Sequence, residues 1–191
     1  MAEAVDFNDN SDKIKKMVLA ALFAALIAVG AYIRIPIAFS PVPITLQTFF
    51  VLLAAVALGR KWGVVSIVVY LLVGFIGFPV FTGGSGGIGI LFGSSGGYLY
   101  SFILVAYLVG LLSEKIQTKS IPLFIISIFI ISAFGSFLIL GIGTIHLGAI
   151  GHMSFLAAAL GGFIPFIVGD LIKSAAIALV ASVVRKKINP V

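Results

Sequence analysis

The chain has 191 residues, 61% of them hydrophobic and only 9% charged, with a net charge of +6 and no cysteine. A soluble domain is about 45–50% apolar and about 25% charged, so this composition excludes an ordinary soluble domain, and the missing thiols exclude disulfides, iron–sulfur clusters and thiolate zinc sites. The length suits one membrane domain of roughly six spans of about 20 residues each, with no room for a separate catalytic domain.

Residues 1–16, MAEAVDFNDNSDKIKK, are acidic and polar ahead of their lysines, unlike a signal peptide, and are expected to form a cytoplasmic N-terminal tail. Apolar runs follow at 17–34, 44–59, 62–80, 98–113, 121–141 and 154–184. They predict an all-α membrane protein with a six-helix domain over 17–187 and a short C-terminal tail at 188–191. Six spans put both termini on one side, and ten of the twelve Lys and Arg residues fall on that side. The positive-inside rule makes it the cytoplasm. Arg34 is left opposite and Lys173 lies inside the last run. The positive charge thus sits at the ends of spans, not on a basic face interleaved with aromatics, and nucleic acid is not an expected partner.

In the first run, Ala20, Ala24 and Ala28 recur every four residues, flanked by Ala21 and Ala25. Small residues at this spacing let another helix approach closely, either inside the bundle or on a partner. The alternation of sides makes 35–43, 81–97 and 142–153 outward loops, and 60–62 and 114–120 inward turns.

The outward stretch at 81–97 contains Gly84-Ser85-Gly86-Gly87-Ile88-Gly89, a match to the dinucleotide-binding G-x-G-x-x-G pattern. That pattern needs a βαβ unit around it, and here a membrane span precedes it on the side away from cytoplasmic nucleotides. The match reads as coincidence. Eight of the fifteen residues from Gly83 to Gly97 are glycine, yet Ile88, Ile90, Leu91 and Phe92 would sit badly in a solvated linker. A compact extracytoplasmic loop folded over the outer mouth of the bundle is expected. His146 and His152 are too few for a metal set and are expected as solvated loop residues.

A helix over all of 154–184 would be about 46 Å long against a hydrocarbon core of about 30 Å. Gly161-Gly162 and Pro165 offer a break, with 154–162 interfacial or re-entrant and the true span starting near Pro165. This span carries Asp170 and Lys173, whose spacing puts them on one helical face. A charge at mid-bilayer costs about 2.5–3.5 kcal/mol even on insertion scales, so such residues face a cavity or a partner. The alternatives are an internal salt bridge or a site for a small polar molecule with an apolar portion. No G-x-x-x-x-G-K-[ST] occurs, so the chain lacks its own Walker site for ATP.

Three stretches in this order, PVPITLQTFFVLLAAVALGRKWG, GFPVFTGGSGGIGILFGSSGGYL and GFIPFIVGDLIKSAAIALV, resemble the BioY family, the biotin-specific substrate-binding (S) components of energy-coupling factor (ECF) transporters. The similarity covers most of 17–110 and 160–187. It implies a multi-pass cell-membrane protein, without cofactor, metal or catalytic residue, that captures biotin from outside. The ligand would pass to a module of two ATPase subunits and a transmembrane coupling subunit. On that resemblance Asp170 accepts from the ureido N–H groups and Lys173 donates to the ureido carbonyl or the tail carboxylate. Thr82, Ser85 and loop N–H groups near Gly86 supply neutral donors, and Phe81 and Tyr98 form an aromatic wall, although Tyr98 equally suits an interfacial anchor. Ala20, Ala24 and Ala28 become the docking seam for the coupling subunit. Where relatives carry Gly-Pro-Thr, this chain has Gly93-Ser94-Ser95, and Ser85 and Gly97 stand where some relatives have amide or guanidinium groups. The competing readings are an S component for another small vitamin, a secondary transporter, and an intramembrane enzyme using Asp170 and Lys173 as acid and base. The enzyme has no nearby nucleophile except Ser174, and a transporter would usually show inverted repeats or several intramembrane charges.

Overall fold

The computed structural model describes the backbone of residues 7–188 and the side-chain surroundings of 10–183. Residues 1–6, 189–191 and the side chains of Arg185, Lys186 and Lys187 lie outside the described residues. The described chain is almost entirely helical: α1 (Phe7–Tyr32), α2 (Gln47–Phe75), α3 (Gly96–Glu114), α4 (Ile121–Ile150), α5 (Phe155–Gly162) and α6 (Ile167–Ile188). Between α1 and α2 the chain makes a small antiparallel ribbon of β1 (Arg34–Ile35) and β2 (Ile44–Thr45), with Arg34 opposite Thr45. Five segments are long and apolar enough to cross a membrane: Asn10–Tyr32, all of α2, α3 and α4, and Phe155–Val183.

The second of these is folded back on itself. Gly59 breaks the helix with φ 75° and ψ −179°, a conformation that glycine adopts without a Cβ penalty. Gln47 Nε2 donates to the Tyr70 hydroxyl at 2.5 Å across 23 residues of sequence, whereas an unbroken helix would hold them about 35 Å apart. The arms 47–58 and 60–75 therefore run side by side, close enough that a Cβ on Gly63 would fall 2.8 Å from Ala55 Cα. The predicted inward turn at 60–62 is compressed into Gly59. Helix resumes at Arg60 because Glu114 Oε1 accepts its backbone N–H at 2.8 Å, satisfying one of the donors a helix start leaves open.

The first arm occupies the middle of the bundle, with Val51, Leu52, Ala54 and Ala55 fully buried, while the second buries Ile67 and Tyr70 and exposes Val69 and Leu72. They pack against α1, α3 and α6, and α4 closes the far side against α3 and α6. The exterior stays apolar, with Leu22, Leu72, Leu104, Ile130 and Ile172 all exposed. An outer surface of this kind suits lipid rather than water.

Three sequence expectations change here. Helix α1 starts at Phe7, inside the expected tail 1–16, where Asp12 stands four residues before Lys16 in the orientation that supports an exposed helix. The expected loop 142–153 is mostly helix, since α4 runs on to Ile150. Gly143 and, earlier in α4, Gly135 are packing positions: a Cβ on Gly143 would enter the Tyr98 ring, and one on Gly135 would lie 2.6 Å from Val109 Cγ2. His146 is accordingly a half-buried helix residue whose Nε2–H meets Gly93 O at 3.2 Å, while His152 is exposed. Ala20 and Ala24 are only 1% and 6% exposed and belong to the core of the chain itself. Ala28 is half-buried against the same core. As a docking seam for another subunit these three are therefore corrected: their spacing marks a close-packing face, and α2 covers that face.

The predicted break in the last run is present. Helix α5 ends at Gly162, a single 3-10 turn spans Ile164–Phe166 with Pro165 in it, and α6 starts at Ile167.

Candidate functional site

The short first turn of α6 sets the position of Asp170, close to backbone N–H groups whose dipoles favour a carboxylate. One turn further on, Lys173 Nζ donates to Asp170 Oδ1 at 2.8 Å and to Thr48 Oγ1 at 3.0 Å. The two residues are 3% and 8% exposed, so the pair is shielded from water by the bundle. Ser174 is tied down by donating its hydroxyl to the Asp170 carbonyl at 2.8 Å. Asp170 Oδ2 is buried and has no hydrogen-bond partner among the described residues, although the Thr48 hydroxyl lies beside the carboxyl group. A buried acceptor left open costs free energy, and Asp170 is among the residues that line a cavity.

Next to Thr48, the first residue of α2 ties the walls together. Gln47 Oε1 accepts from the Thr82 hydroxyl at 2.7 Å and from the Thr45 hydroxyl at 3.2 Å, while its amide group holds Tyr70. Gln47 thereby links β2, both arms of α2 and the Gly-rich loop. The loop is folded on itself: Phe81 N–H donates to Ser85 O at 2.9 Å, the Ser85 hydroxyl donates to Thr82 O at 2.8 Å, and Gly87 N–H donates to Gly74 O at 2.7 Å. Gly83, Gly84 and Gly87 have φ of 78°, 73° and 93°. Those angles are the reason glycine is needed at these positions. Phe81 is buried edge-on against Tyr70, with ring centroids 5.5 Å apart.

Together these groups line a partly open cavity. Of the residues singled out in the sequence, Phe81, Thr82, Ser85, Tyr98, Asp170 and Lys173 all line it. Tyr98 is buried and donates its hydroxyl to Gly162 O at 2.8 Å, tying α3 to the end of α5. Gly86 does not line the cavity; a Cβ there would meet the backbone at Gly77 and Phe78. Sequence reasoning missed the polar residues Thr45, Gln47 and Thr48 and the apolar Val42, Ile90, Phe102 and Phe166, which also line it. Polar side chains at the very start of an apolar run, in PITLQT, were the available signal. No group of three or more metal-ligating side chains occurs among the described residues.

A helical bundle with an apolar exterior, a shielded ion pair with one open carboxylate oxygen, and a glycine loop beside the cavity defines a membrane protein built to hold a small molecule. The comparisons with known proteins are specific. A family model described as the BioY family matches residues 3–190, and the chain belongs to that family. It is 40% identical to the biotin transporter BioY of Thermotoga maritima over 91% of this chain and 97% of that one. It is 39% identical to the probable biotin transporter BioY of Pyrococcus horikoshii over 88% and 95%. A crystal structure of the S-component for biotin from an ECF-type ABC transporter superposes with a TM-score of 0.84 at 30% identity, over 96% of this chain and 95% of that one.

Proposed function

We propose that the protein captures biotin and delivers it for uptake as the substrate-specific component of an ECF-type transporter, acting as a carrier and not as an enzyme. The observation that carries the ligand assignment is the buried Asp170–Lys173 pair in the cavity lining, with Asp170 Oδ2 left without a hydrogen-bond partner among the described residues. The ureido N–H of biotin is a donor suited to it, and the third N–H of the Lys173 ammonium suits the ureido oxygen. Phe81, Tyr98, Phe102 and Phe166 surround these groups with apolar surface for the thiophane ring and valerate chain.

The two arms of α2 count as separate spans in this reading, giving six across 17–187. The distribution of Lys and Arg supports cytoplasmic termini and an extracytoplasmic Gly-rich loop, and capture of an external vitamin for uptake implies residence in the plasma membrane. Delivery needs the two ATPase subunits and the coupling subunit, because the chain carries no nucleotide site of its own. The coupling subunit is assigned to the lipid-facing side of α1, where Ala21 and Ala25 are exposed. Purified in detergent, the chain is expected to bind labelled biotin at one molecule per chain with no ATP present. Absence of stoichiometric binding would refute the assignment.

A further inference from the structure

Inside the cavity no cation remains for the carboxylate tail of biotin. Lys173 is paired with Asp170, and no other Lys, Arg or His lines the cavity. A tail carboxylate lodged there would lose its hydration without gaining a counter-charge, which is costly. The tail must reach a cation outside the lining or stay in water.

We propose that Arg34 is that cation, and that it forms a carboxylate-reading subsite at the loop end of the cavity; the proposal rests on biotin being the ligand. Arg34 pairs directly with Thr45 across the β1–β2 ribbon. Residues opposite one another in an antiparallel pair project from the same face, and Thr45 lines the cavity. The guanidinium lies against the Gly-rich loop, close enough that a Cβ on Gly83 would fall 2.7 Å from Arg34 Nη1. Gly83 is next in sequence to Thr82, another lining residue. Both backbone segments beneath the guanidinium therefore contribute side chains to the cavity wall.

Arg34 is also uncommitted. It is exposed and makes no ion pair or side-chain hydrogen bond with any described residue. It is the one Lys or Arg that the charge distribution leaves on the loop side of the bundle, apart from Lys173 in the cavity. A planar guanidinium can bind a carboxylate through two parallel N–H bonds. Its neighbour Tyr32 donates to Pro79 O, so α1 already holds the chain entering the loop without using the Arg34 charge.

The test compares biotin with biotin amide, whose tail is neutral, on the full chain purified in detergent. The wild type should prefer biotin, and Arg34→Ala should weaken biotin by about tenfold, in keeping with a charge-assisted contact, while leaving the amide unchanged. Arg34→Lys, which keeps the charge, should retain most of the preference. Equal weakening of both ligands by Arg34→Ala would make Arg34 a support for the loop and overturn the subsite, as would no change in either. A wild type that binds both ligands equally well would overturn the subsite while leaving the biotin assignment standing. A wild type that binds neither would remove the biotin assignment and the subsite together.

Discussion

The molecule contains two ion pairs that differ in almost every respect. Arg60 and Glu114 meet at 3.5 Å with half-exposed side chains, where the turn of α2 at Gly59 passes the end of α3. Asp170 and Lys173 meet at 2.8 Å with side chains 4% and 10% exposed. An exposed pair contributes little as a pair of charges, and Glu114 matters chiefly as the acceptor for the Arg60 N–H at the restart of a helix. A buried pair is no more stabilising than well-packed apolar side chains. The buried pair is therefore the one that calls for a functional explanation, and its open carboxylate oxygen supplies one.

The contrast can be broken most sharply at Lys173. Lys173→Met leaves Asp170 buried without its partner, and loss of one member of a buried pair typically costs about 3–5 kcal/mol. Thermal unfolding in detergent should move to clearly lower temperature and biotin binding should be lost. A variant of wild-type stability and affinity would mean that the pair is not isolated from water.

The glycine loop beside the pair offers the next largest effect. Gly87 has φ 93°, and forcing a β-branched residue into such a conformation costs about 1–3 kcal/mol. Gly87→Val should weaken biotin binding several-fold or more, measured by the same binding assay. Unchanged binding would show that the loop conformation does not contribute to the site.

On α1, Ala25→Trp is expected to leave biotin binding intact while reducing co-purification with the coupling subunit and ATPases, because the added bulk sits on the exposed side. Equal loss of binding and co-purification would place Ala25 in the packing of the bundle. The smallest effect belongs to the exposed pair. Glu114→Gln keeps an acceptor for Arg60 N–H and removes one charge, so stability should change by no more than about 0.5 kcal/mol, with biotin affinity unaffected. A large loss there would erase the distinction between the two pairs.

Much of this architecture was legible in the sequence, because membrane spans are long and apolar and because charges inside them are rare. The break before α6 followed from a run too long for a bilayer, and the Asp170–Lys173 pair stood out against its apolar surroundings. Gly143 was misleading: glycine in sequence reads as loop, but here it serves as a close contact between helices, and only the neighbouring helix reveals that role. Ala20, Ala24 and Ala28 raised the related difficulty that periodicity identifies a face without saying what covers it. Gln47 was overlooked since its significance comes from Tyr70 and Thr82, partners distant in sequence.

The central claim is that Asp170 accepts from the ligand through its open oxygen. Titration calorimetry of biotin into the wild type and Asp170→Asn, both purified in detergent, tests it directly. The substitution keeps the size of the side chain but weakens a charge-assisted acceptor, typically by about 1.5–3 kcal/mol. Biotin affinity should fall at least about tenfold while the variant still inserts and purifies as a folded chain. Equal affinities in the two proteins would contradict the account and move the ligand away from Asp170.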